Sequence, residues 1–412
     1  MTAVTEAAPA AAPAHRSPQV LRWLGAYTAS TLGDSVFYLA LSWAAVSGGT
    51  PAQAGLVMAV AAVPRALLML FGGVIADRLG PRRVVIASDT VRCLVTLGLA
   101  ASLFLASPGL WALAAVALVF GVVDALFLPA VGALPPRVAD RDQLARVQGM
   151  RGLAHRMGAV VGAPLGGLAI AVGGTATAFG VAGLLFALSL PLLAALRLRP
   201  LPRKEETREG TAPRGLADGL RYLRGHPVLG PLMIVVLLSD LGFVGPLNVG
   251  LAVLSEQRGW GASGIGWVLA GFGVGAGGAS LLLTVKGHVP RTGLVMGWTM
   301  VIGAVAIGAL AQLPRLAPAV LVALTIGLLA RLSGALCNAL IQTECDPAYL
   351  GRVSAVAGLG SLGIAPLSFP LTGAAIGVWG PGPVFVVSAA VCALAGVYGL
   401  AVRAVRRAEL PK

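Results

Sequence analysis

The sequence predicts an all-α integral membrane protein with twelve transmembrane helices, in two six-helix bundles related by a parallel pseudo-two-fold repeat. Three observations predict this. First, 57% of the 412 residues are hydrophobic and only 11% are charged, against about a quarter charged in soluble chains. Second, apolar runs of roughly 20 residues recur along the chain, each long enough to cross a hydrocarbon core of about 30 Å. In lipid such runs must bond their own backbone and are helices, because a barrel would show short alternating segments instead. Third, residues recur in one register at half the chain length.

In chain order the spans are placed at 20–47, 52–76, 84–106, 109–133, 147–172 and 174–196, then 228–254, 262–286, 292–313, 317–342, 353–378 and 382–402. The net charge of +14 then has a topological meaning. Of the 30 Lys and Arg residues, only Arg258 and Arg315 fall in odd-numbered loops, and Arg65, Arg92 and Arg331 lie inside spans. The rest gather on the termini, the even-numbered loops or the adjoining span ends. The positive-inside rule makes that side cytoplasmic, with both termini inside a plasma membrane. Nucleic-acid binding is not needed to explain the charge.

Residues 1–19 read as a disordered cytoplasmic tail, 20–196 and 228–402 as the two bundles, 197–227 as a cytoplasmic linker and 403–412 as a second tail. The linker holds a charged run, Arg203 to Glu209, followed by Leu216, Leu220 and Leu223 with Arg221 and Arg224 between them, the pattern of a short interfacial helix. Three of the four cysteines (Cys93, Cys337, Cys392) lie in spans and Cys345 in a loop, which suggests neither disulfides nor a metal site. The four histidines (His15, His155, His226, His288) lie in the tail or near cytoplasmic loops. No cofactor is implied.

The repeat has an offset of 206 residues. Asp34 falls on Asp240, Gly121 on Gly327, Arg146-Val147 on Arg352-Val353, Pro164-Leu165 on Pro370-Leu371, and Gly174 on Gly380. Charged pairs and a Pro-Leu pair in one register indicate an internal duplication. Six spans per half send both halves into the membrane in the same direction, with a central site between them at mid-depth.

Between the second and third spans stands Gly73-Val74-Ile75-Ala76-Asp77-Arg78-Leu79-Gly80-Pro81-Arg82-Arg83. An acidic residue ends one helix, a Gly turn follows, and a basic cluster marks the cytoplasmic face. The complete spacing resembles the loop signature of the major facilitator superfamily. In the fifth span, Gly158, Gly162, Pro164, Gly166 and Gly167 resemble the antiporter motif of drug exporters in that superfamily, with the proline one residue later than the pattern. A glycine face for close helix packing is the alternative. Pro64-Arg65, Leu220-Arg221-Tyr222-Leu223 with His226-Pro227, and Gly351 through Val356 are similar to the macrolide-efflux and enterobactin-exporter branch. The resemblance implies that Asp77, Arg78, Arg82 and Arg83, with Gly73 and Gly80, form a conformational latch. Asp77 would meet the start of the eleventh helix, near Gly351-Arg352, when the cytoplasmic side is closed.

Ionisable groups at mid-membrane cost about 2.5–3.5 kcal/mol each on the insertion scale and mark function. At 1.5 Å per residue, Asp34, Asp240, Arg65 and Arg331 lie roughly 16 Å from the cytoplasmic edge and Asp124 roughly 14 Å. The resemblance implies that the first, fourth, seventh and tenth helices line the cavity, which gives Asp34, Asp124, Asp240 and Arg331 one each. Asp34 is expected to carry a proton with Arg65 as partner, and Asp124 to pair with Arg331. Asp89 and Arg92, three apart, are expected to form a local structural pair. Static ion pairs locking the bundles are the competing reading of all five cavity residues.

Gly358 to Gly363 fits G-x-G-x-x-G, but it lies inside a span and follows no strand, so helix packing explains it. No P-loop spacing occurs, which points to an ion gradient as the energy source. The expected function is export of small amphiphilic compounds, such as a drug or macrolide, in exchange for protons, by a monomer in the lipid bilayer. Three carboxylates against two guanidiniums lean toward cationic or zwitterionic substrates. Siderophore export, metabolite uptake and a non-transporting receptor remain alternatives. No enzyme chemistry is expected.

Overall fold

A computed structural model of the chain describes residues 16–106, 109–139, 143–196, 198, 212–286, 289–346 and 349–410. The expected disordered tail (apart from its last residues) and the charged run of the linker lie outside the described residues.

Proline opens four of the long helices, where its missing N–H costs nothing. These are α1 (Pro18–Ser47), α2 (Pro51–Leu79), α3 (Pro81–Leu105) and α14 (Pro381–Ala401). Thr50 and Gln53 add a capping box at the start of α2. The chain continues through α4 (Leu110–Gly132), a single turn α5 (Pro135–Val138) and the long α6 (Leu144–Ala194). After the linker come α7 (Ala212–Gly225), α8 (Leu229–Gly245), a π-helical turn Pro246–Gly250 and α9 (Leu251–Gln257). Then follow α10 (Gly261–Lys286), α11 (Thr292–Leu310), α12 (Leu316–Glu344), α13 (Leu350–Trp379), α14 and the short α15 (Arg403–Arg407). No strand occurs among the described residues.

Among the described residues, ten stretches are long and apolar enough to cross a membrane, with α6 counted once and α8–α9 counted once. The thirty-residue α1 is not among them; it carries Arg22 and Asp34 within its length. The long α6 is broken by non-helical backbone at Gly173 and Gly174, where the sequence places the boundary between two spans. Gly174 has φ +75° and its repeat mate Gly380, between α13 and α14, has φ +77°. Both halves therefore turn on a left-handed glycine that a side chain would strain. Pro381 follows in the second half and Thr175 in the first, so only the second turn also gains a proline start.

The expected seventh span is also interrupted. Pro246 lacks an amide hydrogen and opens the π turn, while the Gly245 amide donates to Ser368 Oγ of α13 at 2.9 Å. The start of the turn is thus tied to a neighbouring helix in addition to its own i→i+5 bonds, such as Leu251 N–H to the Pro246 carbonyl.

Helices α1 to α6 pack mainly on one another, as do α8 to α14; α2 against α13 and α6 against α10 join the two groups. These junctions lie at the end of the bundle remote from the start of α1 and the α2–α3 turn. A Cβ on Gly55 would lie 2.5 Å from the Phe369 carbonyl oxygen, and one on Gly373 2.4 Å from that of Pro51. Toward the other end, rich in arginine and here termed the basic end, the groups part. No described atom comes within 4 Å of a Cβ built on Gly149 or Gly152 of α6, or on Gly351 or Gly358 of α13. Gly373→Leu is expected to wedge the closed end open. Labelling of a cysteine placed at Ala59, buried one turn along α2 from Gly55, should rise several-fold while helix content is unchanged.

The expected interfacial helix exists as α7. Its Tyr222 ring stacks on Tyr349 at 4.4 Å, its hydroxyl accepts from the Asp346 amide at 3.2 Å, and Gly219 lies against Arg352. The linker is therefore fastened to the start of α13.

Candidate functional site

Five of the long helices of the first group converge on one guanidinium. Arg92 of α3 has a side chain only 1% exposed. It bonds Asp89 Oδ1, one turn earlier on the same helix, at 3.2 Å, and Asp124 Oδ1 of α4 through Nη2. Asp34 of α1 stands 3.7 Å from Nη1. The Phe127 ring lies 4.0 Å from the guanidinium carbon, so the cation is held between carboxylates and an aromatic face.

Further side chains fix these carboxylates. Ser30 Oγ lies 2.8 Å from both Asp89 oxygens, and Ser189 of α6 donates to Oδ2 of the same residue. Tyr38, one turn beyond Asp34 on α1, donates to Asp124 Oδ2 at 2.6 Å. Arg65 of α2 approaches that oxygen at 3.8 Å. Burial makes this arrangement obligatory, since an unpaired charge inside a bundle costs several kcal/mol.

Asp34 is the exception. Its side chain is 26% exposed, and among the described residues its only ion contact is the long one to Arg92 and Oδ1 has no hydrogen-bond donor. Asp89 and Asp124 are each held by three groups. The cluster contains three carboxylates and two guanidiniums, so with all groups ionised it carries one negative charge in excess.

The second group of helices is built differently. A cavity of about 610 Å³ is lined entirely by α8 and α10 to α14. Asp240 of α8 accepts a hydrogen bond from Ser361 of α13. Arg331 of α12 makes one long contact, 3.4 Å to Ser280 of α10. Asn338, Gln342 and Ser354 add polar groups, while Met233, Phe243, Phe272 and Met300 supply apolar surface.

The expected pairings are therefore corrected. Arg65 meets Asp124 rather than Asp34, and Asp124 takes Arg92 and Arg65 rather than Arg331, which belongs to the other helix group. Asp89–Arg92 is a pair, but not merely a local one. Sequence reasoning placed the mid-membrane residues by height, and height says nothing about which way a helix face points. It also missed Arg92 as the hub, with Tyr38, Ser30 and Ser189 holding the carboxylates around it, and Ser361 as the partner of Asp240. The available signal was an arginine within a span, which should be weighed as an intramembrane charge even with an acid three residues away.

The signature loop is partly described. The side chains of Gly73 and Asp77 lie outside the described residues. Gly80 takes φ +87° at the tight turn into α3. Arg82 donates to the Leu193 carbonyl at 3.2 Å and also to that of Ala194, capping the end of α6. Arg78 is exposed, and Arg83 lines an open groove with Arg82 and Arg22. Arg82 is thus bound within its own group, and Arg352 lies over Tyr349.

The glycines of α6 are packing contacts. A Cβ on Gly158 would lie 3.0 Å from Thr31, one on Gly162 2.6 Å from Ser35 and one on Gly166 3.3 Å from Val36, all on α1. A Cβ on Gly167 would lie 2.8 Å from the Ala262 carbonyl oxygen of α10, and the Pro164 backbone lies 3.0 Å from a Cβ on Gly266. The motif is what lets α1 and α10 approach α6. Among the described residues no cluster of His, Cys, Asp or Glu has the form of a metal site.

Comparison with known proteins fits this geometry. The family model of the Major Facilitator Superfamily matches residues 23–365. The chain belongs to that superfamily. It is a multi-span membrane protein of a transporter family, and its structural neighbours are transporters rather than enzymes. Curated relatives include the enterobactin exporters EntS of Shigella boydii serotype 18 and Escherichia coli O81. Each is 28% identical over 287 residues, covering 69% of this chain and 68% of the relative. Among solved structures, a D323A mutant of the nucleoside transporter NupG superposes with a TM-score of 0.74 at 14% identity, covering 94% of this chain and all of the other. A bacterial homologue of the human lysosomal transporter Spinster, described as inward-facing and occupied, gives 0.70 at 15% identity, covering 96% and 97%. At these identities the structures show a shared fold alone.

Proposed function

We propose that this superfamily member exports small amphiphilic compounds by alternating access, in exchange for protons. The observation that carries the reading is the single excess carboxylate of the buried cluster, centred on the loosely held Asp34. One proton on Asp34 neutralises the cluster, and losing it restores a charge that must find Arg92 or water. A group whose stable state depends on whether its side of the bundle is wet is suited to coupling a proton to bundle closure.

The reading takes the chain as twelve spans, with α6 split at Gly173–Gly174 and α8–α9 as one span, in two six-helix bundles related by a pseudo-two-fold axis. The matching left-handed glycines support it. So does the 2.5 Å hydrogen bond from Ser42 to the Asn248 carbonyl, between positions 206 apart, as expected near such an axis. With the basic end cytoplasmic and both termini there, the separated helix groups correspond to a state open to the cytoplasm. The latch expected at Asp77, Arg78, Arg82 and Arg83 would engage the start of α13 when that side closes. The α6 glycine motif would then serve the sliding of α1 and α10 on α6.

Siderophores are a second substrate class that the EntS relatives favour. The test is accumulation of fluorescent drugs, macrolides and siderophores in cells without their own exporters. Cells making the protein should hold several-fold less of at least one compound than vector cells, and a protonophore should erase the difference. Lower accumulation that survives the protonophore would contradict proton exchange, and higher accumulation would mark an importer.

A further inference from the structure

The charges left over after pairing describe the substrate. In the buried cluster of the first helix group all three carboxylates are engaged by, or stand beside, Arg92 and Arg65. Arg331 is different. It borders the 610 Å³ cavity, and among the described residues no carboxylate lies within ion-pair distance of it.

The neighbouring group adds to the same sign. Val160 of α6 lies 2.7 Å from a Cβ built on Gly273 of α10, at the junction of the two groups. Arg156 stands one turn from Val160 toward the basic end, and Ser280, which Arg331 touches, stands two turns from Gly273 in that same direction. Arg156 and His155 are close enough to Arg331 for its charge to act on both. Between them α10 presents Gly277, with no described atom within 4 Å of its would-be Cβ. Neither Arg156 nor His155 has a described acidic partner. Two guanidiniums thus share one open region with no carboxylate in ion-pair contact among the described residues, an arrangement that an anion relieves.

Asp240 borders the same cavity, is not paired with Arg331, and retains acceptor capacity beyond its bond from Ser361. We propose that the cavity takes a zwitterionic amphiphile, with its acidic group at Arg331 and Arg156, its cationic group toward Asp240, and its apolar body against Phe243, Phe272 and the methionines. The volume suits a drug-sized molecule. This inference rests on the transport reading and narrows the sequence-based leaning toward cationic or zwitterionic compounds, because the carboxylates behind that leaning are largely neutralised while Arg331 is not.

The test uses two dyes that differ by one acidic group, zwitterionic tetramethylrhodamine and its cationic ethyl ester, titrated against the purified full-length protein by fluorescence polarisation. The acid is expected to bind on the order of tenfold more tightly than the ester, the scale of a lost charge-assisted hydrogen bond. Arg331→Gln should remove that preference by weakening the acid alone, Arg331→Lys should restore part of it, and Arg156→Gln should reduce it independently. Equal binding of both dyes, tighter binding of the ester, or binding of neither would overturn the proposal, as would an unchanged preference in a folded Arg331→Gln protein. Failure of proton coupling is read separately: acid-selective binding without gradient-dependent efflux in cells would sink the exchange reading and leave the anion anchor standing.

Discussion

Asp34→Asn is expected to lower gradient-driven export to the level of cells lacking the protein, while the purified variant still binds substrate. Asparagine has the same shape as a protonated aspartate and cannot release the proton. The cluster then keeps two carboxylates, Asp89 and Asp124, against Arg92 and Arg65, and is electrically balanced in every state. Nothing then ties its charge to which side is open. Because Asp34 makes only the 3.7 Å contact to Arg92, the substitution leaves the tighter bonds to Asp89 and Asp124 in place and should fold normally. Uptake assays with and without a protonophore, beside a melting curve, check this. Full export by a folded Asp34→Asn protein would remove Asp34 from the coupling role.

Arg92→Gln is expected to have the largest effect on stability. It leaves Asp89 and Asp124 without their main cation inside the bundle, and breaking a buried pair in this way costs about 3–5 kcal/mol. The yield of monodisperse protein in detergent should collapse, with the melting temperature of the remainder clearly lowered. Arg92→Lys keeps the charge but loses the fork that reaches Asp89 and Asp124 together, and should fall between the two. Adding Asp124→Asn to Arg92→Gln should recover part of the loss. A melting curve of Arg92→Gln that matches the wild type would show that the cluster does not hold α3 and α4 together.

The sequence made the course of the chain legible because hydropathy and glycine placement act locally. The break at Gly173–Gly174, the turn at Gly80 and the linker helix around Leu220 and Leu223 all stand where the residues suggested. The π turn at Pro246–Gly250 was not legible, since a proline inside an apolar run looks the same whether the ladder is kinked or repaired by Ser368. The site was half legible. Position along a helix follows from counting residues, so Asp34, Arg65, Asp124, Asp240 and Arg331 stood out as charges within long, largely apolar helices. Partners depend on the rotation of each helix and on which group it joins, and no count supplies that. Arg92 was hidden for a simpler reason: Asp89 three residues away offered a local partner that seemed sufficient, whereas a guanidinium can serve several carboxylates at once.

The most direct test of proton exchange is a flux measurement in proteoliposomes, with protein reconstituted beside a compound identified by the accumulation assay. An imposed pH gradient should drive the compound to the acidic side, with protons moving the opposite way, and nigericin should abolish both movements. Transport that proceeds at the same rate and to the same level with no gradient, or with the gradient reversed, would contradict the coupling assigned to the Asp34 cluster.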